Sequence, residues 1–73
     1  MAHAQFHVVP DDGVWRVEEN GQELSTHQTQ QEAIDDARHR AQTVRPSQVI
    51  IHGRDGRIQD ESTYGDDPFP PRG

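Results

Sequence analysis

VWRVEENGQELSTH, residues 14–27, decides how this chain folds. Two runs with strand character, residues 14–19 and 22–27, flank Asn20-Gly21. Both turn residues tolerate the left-handed backbone of a type I′ turn, so the dipeptide is a strong hairpin signal. A two-residue turn there pairs Glu19 with Gln22, Val17 with Leu24 and Trp15 with Thr26. Side chains alternate across a strand, so Trp15, Val17, Leu24 and Thr26 share one face.

Working toward the N-terminus, "QFHVV" at residues 5–9 is a further strand. "PDDG" at residues 10–13 has turn chemistry: proline fixes φ, aspartate bonds its own backbone and glycine accepts positive φ. Placing Val8 opposite Trp15 sets Phe6 opposite Val17 and adds both to the apolar face. The other face then carries His7, Val9, Val14, Arg16, Glu18, Glu23 and Ser25. One register satisfies two hairpins, and such agreement between local signals marks an ordered fold.

Working toward the C-terminus, "TQQEAIDDARHRAQTV" at residues 29–44 predicts a helix. Thr29 and Glu32 have the spacing of a capping box. Ala33, Ile34, Ala37, Ala41 and Val44 recur at three- and four-residue spacing and form one apolar stripe. Acidic residues gather in the first turns and arginines in the last, as the helix dipole favours. Pro46 disfavours helix at the residue before it. "QVIIH" and "RIQDES" predict two more strands joined through Asp55-Gly56. Parity puts Val49, Ile51 and Ile58 on one face, and Ile50, His52, Arg57 and Gln59 on the other.

The expected fold is α+β: a five-stranded, mostly antiparallel sheet in the order strand-strand-strand-helix-strand-strand, with one helix on one face. Residues 1–63 form the expected domain. "YGDDPFPPRG" at residues 64–73 forms a proline-rich tail, in which Tyr64 and Phe69 are expected to pack back on the sheet or on a partner chain. Strand order is left open by the sequence.

Composition narrows the chemistry. The chain has 73 residues, 29% of them hydrophobic, so one small domain with a thin core is expected. Its formal charge of −6 argues against tight nonspecific binding to DNA or anionic lipid. Cysteine is absent, which excludes disulfides, thiolate metal sites and thiol nucleophiles. No apolar run reaches the ~20 residues of a membrane helix, and the start "MAHAQFHVV" lacks the features of a signal peptide. A cytoplasmic location is expected.

Three stretches, "FHVVPDDGVWRVEENG", "TQQEAIDDAR" and "VIIHGRDGRIQDESTYGDDPFPP", together resemble the small prokaryotic family known as domain of unknown function 2188. Its most specific parts here are "HVVP", "TQQEA" and the "IHGRDGRI" ending. The resemblance covers nearly the whole chain after Ala4. It implies a stand-alone protein or a small appended module, and it implies no activity. Residues 13–41 are also similar to the arm-binding domain of tyrosine integrases and to plant AP2-type domains. That likeness implies DNA reading by the sheet, with Arg16 and Ser25 projecting. "QELSTH", however, carries none of the arginines or lysines such a surface uses.

The remaining candidates are few. His7 and His52 leave the same outer face and would approach one metal ion if their strands were neighbours, but no spacing matches a ligand motif. Asp11-Asp12, Asp35-Asp36 and Asp66-Asp67 are adjacent pairs whose carboxylates diverge, reading as turn, helix-start and tail chemistry. Gly53, Arg54, Gly56 and Arg57 lead into a strand, without the helix start that a phosphate loop needs. Ser25, Ser47 and Ser62 lie in no catalytic motif. The expectation is therefore no catalytic residue, no metal and no cofactor. Val9, Val14 and Ile50 give the outer face apolar character beside an edge strand, as partner surfaces often have. The chain is expected to be a non-enzymatic interaction module that self-associates, as a homodimer, or binds a protein partner. The contact candidates are Val9, Val14, Arg16, Ile50, His52, Arg54, Arg57, Tyr64 and Phe69. A nucleic-acid-binding sheet and a histidine metal site are the alternatives, and no membrane contact is expected.

Overall fold

The computed structural model describes residues 4–65. Five strands and one helix follow in the expected sequence: β1 (Ala4–Asp11), β2 (Val14–Glu19), β3 (Gln22–His27), α1 (Gln30–Thr43), β4 (Ser47–His52) and β5 (Ile58–Tyr64). The sheet order is β3-β2-β1-β4-β5. β1 pairs parallel with β4, and the other three pairings are antiparallel. The first strand is therefore central, and the chain reaches its other side by way of the helix.

The turn residues explain the two N-terminal hairpins. Asp12 (φ 51°) with Gly13 (φ 90°), and Asn20 (φ 53°) with Gly21 (φ 82°), all occupy the left-handed region that a type I′ turn demands. Placing the first turn at Asp12-Gly13 extends β1 to Asp11 and sets Val8 opposite Val17, with Pro10 opposite Trp15. The expected pairing of Val8 with Trp15 is thus two residues out. A shift of two preserves parity, so the same side chains still face the core. Pro10 lies beyond the last β1–β4 pair, Val8 with Ile51, where β1 has a single neighbour and a missing N–H is tolerated.

Two β-bulges revise the faces. Between β2 and β3, Glu18 faces Glu23 while Val17 faces Ser25, which leaves Leu24 as the extra residue. Ser25 and His27 consequently turn toward the helix and Thr26 turns outward, the reverse of the uninterrupted register. Between β4 and β5, Ile51 faces Asp60 while His52 faces Ile58. Ile58 therefore stands on the outer face and is 57% exposed, where simple alternation placed it beside Ile51. Asp55 has no positive φ, so the β4–β5 link is not a two-residue type I′ turn. It is a longer loop in which Gly56 N donates to Gly53 O and Gly53 N donates to Arg57 O.

The core is one layer between sheet and helix. Phe6, Val8, Trp15, Val17, Val49 and Ile51 pack against Ala33, Ala37 and Ala41, with Ala4, Leu24, Ile34 and Tyr64 at its margin. The three alanines are fully buried. Their small size lets the helix backbone lie close to β1, β2 and β4. Val44, expected on this stripe, caps the helix and is largely exposed.

Both helix ends are fastened. Thr29 Oγ1 accepts from Glu32 N at 3.1 Å, satisfying one of the free N–H groups of the first turn. Ser47 Oγ, fully buried, donates to Ala41 O at 2.8 Å, satisfying one of the last carbonyls. Tyr64 is the last residue of β5, opposite Ser47, and packs against its own core. The sheet thus runs one residue into the expected tail. Phe69, the other aromatic expected to pack back, lies outside the described residues.

Candidate functional site

The single described helix packs on one face, so among the described residues no element covers the opposite face of the sheet. Pairing aligns its side chains in rows. Thr26, Arg16 and Val9 lie across β3, β2 and β1; Glu23, Glu18, His7, Ile50 and Glu61 lie across all five strands. Because β1 and β4 are neighbours, His7 and His52 meet: His7 Nδ1 lies 3.0 Å from His52 Nε2. Their rings stack with centroids 5.3 Å apart.

The tautomers follow from the contacts. His52 Nδ1 is 3.0 Å from Gly56 O, and a carbonyl only accepts, so that nitrogen carries a proton. In a neutral His52 ring, Nε2 is then the lone-pair nitrogen, and His7 Nδ1–H donates to it. Burial, then the neighbouring His52, lower the pKa of His7, while the carboxylate of Glu18 opposes the shift.

Arg16 is clamped beside this pair. Its Nη1 donates to Asp11 Oδ2 at 3.1 Å, and its Nη2 lies 2.7 Å from Glu18 Oε2. Its Nε is buried and finds no hydrogen-bond partner among the described residues. Two carboxylates hold this guanidinium, so its charge is already offset.

A second polar cluster lies on the helix side of β3. Ser25 Oγ donates to Asp36 Oδ2 at 2.8 Å, His27 Nε2 lies 3.0 Å from Ser25 Oγ, and Arg40 Nε donates to Asp36 Oδ2 at 2.8 Å. These are the residue types of a hydrolytic triad, but the polarity is reversed. The hydroxyl proton goes to the carboxylate, so His27 Nε2 donates to Ser25 Oγ and has no lone pair there to act as base. Burial alone would raise the Asp36 carboxyl. Hydrogen bonds from Arg40 and Ser25, with the charges of Arg40 and His27, outweigh it and hold the pKa below the ordinary range. The cluster is a tie between an edge strand and the helix. Sequence reasoning missed it because the bulge at Leu24 reverses the direction of Ser25 and His27. The signal available was their two-residue spacing, which places both on whichever face Ser25 takes.

The other candidates are dispersed. Val9 and Val14 are half-buried on the outer face. Ile50 stands on that face yet is only 7% exposed, in the row between His7 and Glu61. Arg57 is exposed and lies 3.8 Å from Asp55. Arg54 lines an open cavity of about 300 Å³ with Pro10, Asp12, Gly13, Val14, Trp15 and Gln28, at the end of the sheet where the first and last turns approach. The structure brings His52 together with His7, and Val14 with Arg54. Among the described residues no group of three or more histidine and carboxylate side chains converges as a metal site. None of the described helices is long and apolar enough to cross a membrane.

A family model described as "Uncharacterized protein conserved in bacteria (DUF2188)" matches residues 6–64. No curated protein and no solved structure matches the chain.

Proposed function

We propose, from the premise that the chain belongs to the DUF2188 family of uncharacterized bacterial proteins, that it is a non-enzymatic interaction module which associates with a second copy of itself through the sheet face opposite the helix. The observation that carries this reading is the state of that face. Its apolar side chains, Val9, Val14 and the exposed Ile58, stand among polar groups that already have partners: Arg16 with Asp11 and Glu18, His7 with His52. Burying unpaired charge is what makes polar surfaces costly to cover. Pairing Arg16 and His7 in advance lowers that penalty for those two groups, while Glu23 and Glu61 leave the face acidic.

Two further observations support the reading. Ser25 is a donor to Asp36, which disfavours it as a nucleophile. Arg16, the residue a DNA-reading sheet would present to phosphate, is held by two carboxylates, and the chain carries a formal charge of −6.

Light scattering across a wide range of protein concentration tests the proposal. The molar mass is expected to rise from 8.3 kDa toward twice that value, and Ile58→Glu, on the exposed outer face, is expected to return the protein to single chains. A single-chain mass at every concentration overturns it. Binding to duplex DNA with an affinity that falls steeply with salt would favour the nucleic-acid reading instead.

A further inference from the structure

We infer that His7 Nδ1 and His52 Nε2 form half of a binding site for a divalent transition metal ion such as Zn²⁺, and that the same pair from a second copy of the chain completes it. The inference deepens the association proposed above and rests on it.

The geometry of the pair comes first. Two nitrogens 3.0 Å apart, each bound to zinc at about 2.05 Å, subtend about 95° at the ion. Opening the pair to about 3.3 Å, with each ring turned by roughly 35° so that the two lone pairs meet at the ion instead of facing each other, gives the tetrahedral angle. One proton now bridges the two nitrogens, and a metal ion would take its place. His7 then carries its proton on Nε2 and remains neutral, so the exchange requires no ionisation of the ring.

The surroundings supply the second argument. Histidines that bind metals usually donate their other N–H to a carbonyl or carboxylate, which fixes the ring and the free lone pair. His52 has this arrangement, since its Nδ1–H points to Gly56 O at 3.0 Å and its Nε2 faces His7. The Gly53–Arg57 hydrogen bond closes the loop that positions this carbonyl.

The third argument concerns the partner. Two nitrogens do not fill a tetrahedral shell, and no third ligand converges on them among the described residues. Among the described residues the same face carries Asp11, Glu18, Glu23 and Glu61 against Arg16, so net acidic charge weakens the association of two such faces. A dication held between them by four histidine nitrogens offsets the repulsion where it is greatest. The face is thus suited to a second copy when a metal ion lies between.

Light scattering with added ZnCl₂, read beside histidine NMR spectra, tests the inference. Zinc is expected to lower the concentration at which mass doubles by roughly tenfold or more, equivalent to about 1.4 kcal/mol. Saturation should come at one ion per two chains, His7 and His52 resonances should shift together, and EDTA should reverse the change. His7→Ala and His52→Ala should each lose the zinc effect while keeping any zinc-free association. Association that is the same in zinc and in EDTA overturns the shared metal site but leaves the interface standing. One ion per chain, bound by both histidines at single-chain mass, overturns the completion by a second copy. Single chains under all conditions, with no shift at either histidine, overturn the site and the interface together.

Discussion

His52 stacks on His7 with the two ring planes inclined by 27°, although the residues are 45 positions apart in the chain. The contact depends on β1 and β4 being parallel neighbours, and it sets how the protein responds to acid.

The pKa of His7 in the folded protein lies below its ordinary 6.5. A depressed value means that the unfolded chain takes up this proton more readily. The associated stability is present above pH 6.5 and is lost as pH falls through the folded value. The groups facing His7 are Glu18 on β2 and His52 on β4. Thermal melts from pH 8 to pH 5 should show a falling Tm, and His7→Gln should flatten that fall. An equal slope in both proteins would remove His7 as its cause.

Asp36 behaves differently at lower pH. Its folded pKa is below the ordinary 3.8, so its contribution is present above that value and disappears as pH falls through the folded pKa. Ser25→Ala removes a hydrogen bond to a charged group and should cost about 1.5–3 kcal/mol in urea unfolding at neutral pH. The cost should shrink once the carboxylate is protonated. Because the hydroxyl's partner is Asp36 and not a free His27 lone pair, Ser25 should also resist acylation by fluorophosphonate reagents; labelling at Ser25 would reverse the assignment of this cluster.

The bulge in the last hairpin separates two isoleucines that simple alternation places on one face. Ile51 is buried in the core and Ile58 is exposed. Ile51→Ala should destabilise by about 2–5 kcal/mol, whereas Ile58→Ala should stay within about 0.5 kcal/mol in a monomeric state. Urea midpoints measured at low protein concentration compare them directly. Equal losses would restore the uninterrupted register.

Ala37 sits at zero exposure between helix and sheet. Ala37→Leu inserts volume where the backbones approach, and such overpacking costs about 1–3 kcal/mol. Denaturant unfolding should show the loss with little change in slope. A neutral effect would mean that the layer is looser than its burial indicates.

Much of this architecture is legible in the residues. Asn20-Gly21 and Asp12-Gly13 specify their turns through backbone conformations few residues tolerate, and Thr29 marks the helix start through a single accepting oxygen. These are local properties, visible without knowing the fold. The bulges are not local. Leu24 is accommodated as an extra residue because Ser25 and His27 find Asp36 on a helix that follows later in the chain, and Ile58 turns outward within a loop closed by Gly53 and Arg57. Strand order belongs to the same category. Parity placed His7 and His52 on one face, but only the parallel pairing of β1 with β4 brings them into contact. The inverted Ser25–His27–Asp36 cluster was invisible for the same reason as the bulge that creates it.

The central position of β1 has a consequence for synthesis. Gln5 pairs with Gln48, 43 residues later. A chain emerging from the ribosome can close its two N-terminal hairpins at once, but the meander then presents an open edge of main-chain donors and acceptors until the fourth strand arrives. Nascent protein should be most prone to sticking to other chains during that interval, and translation speed between the helix and Ser47 would govern how long the exposure lasts.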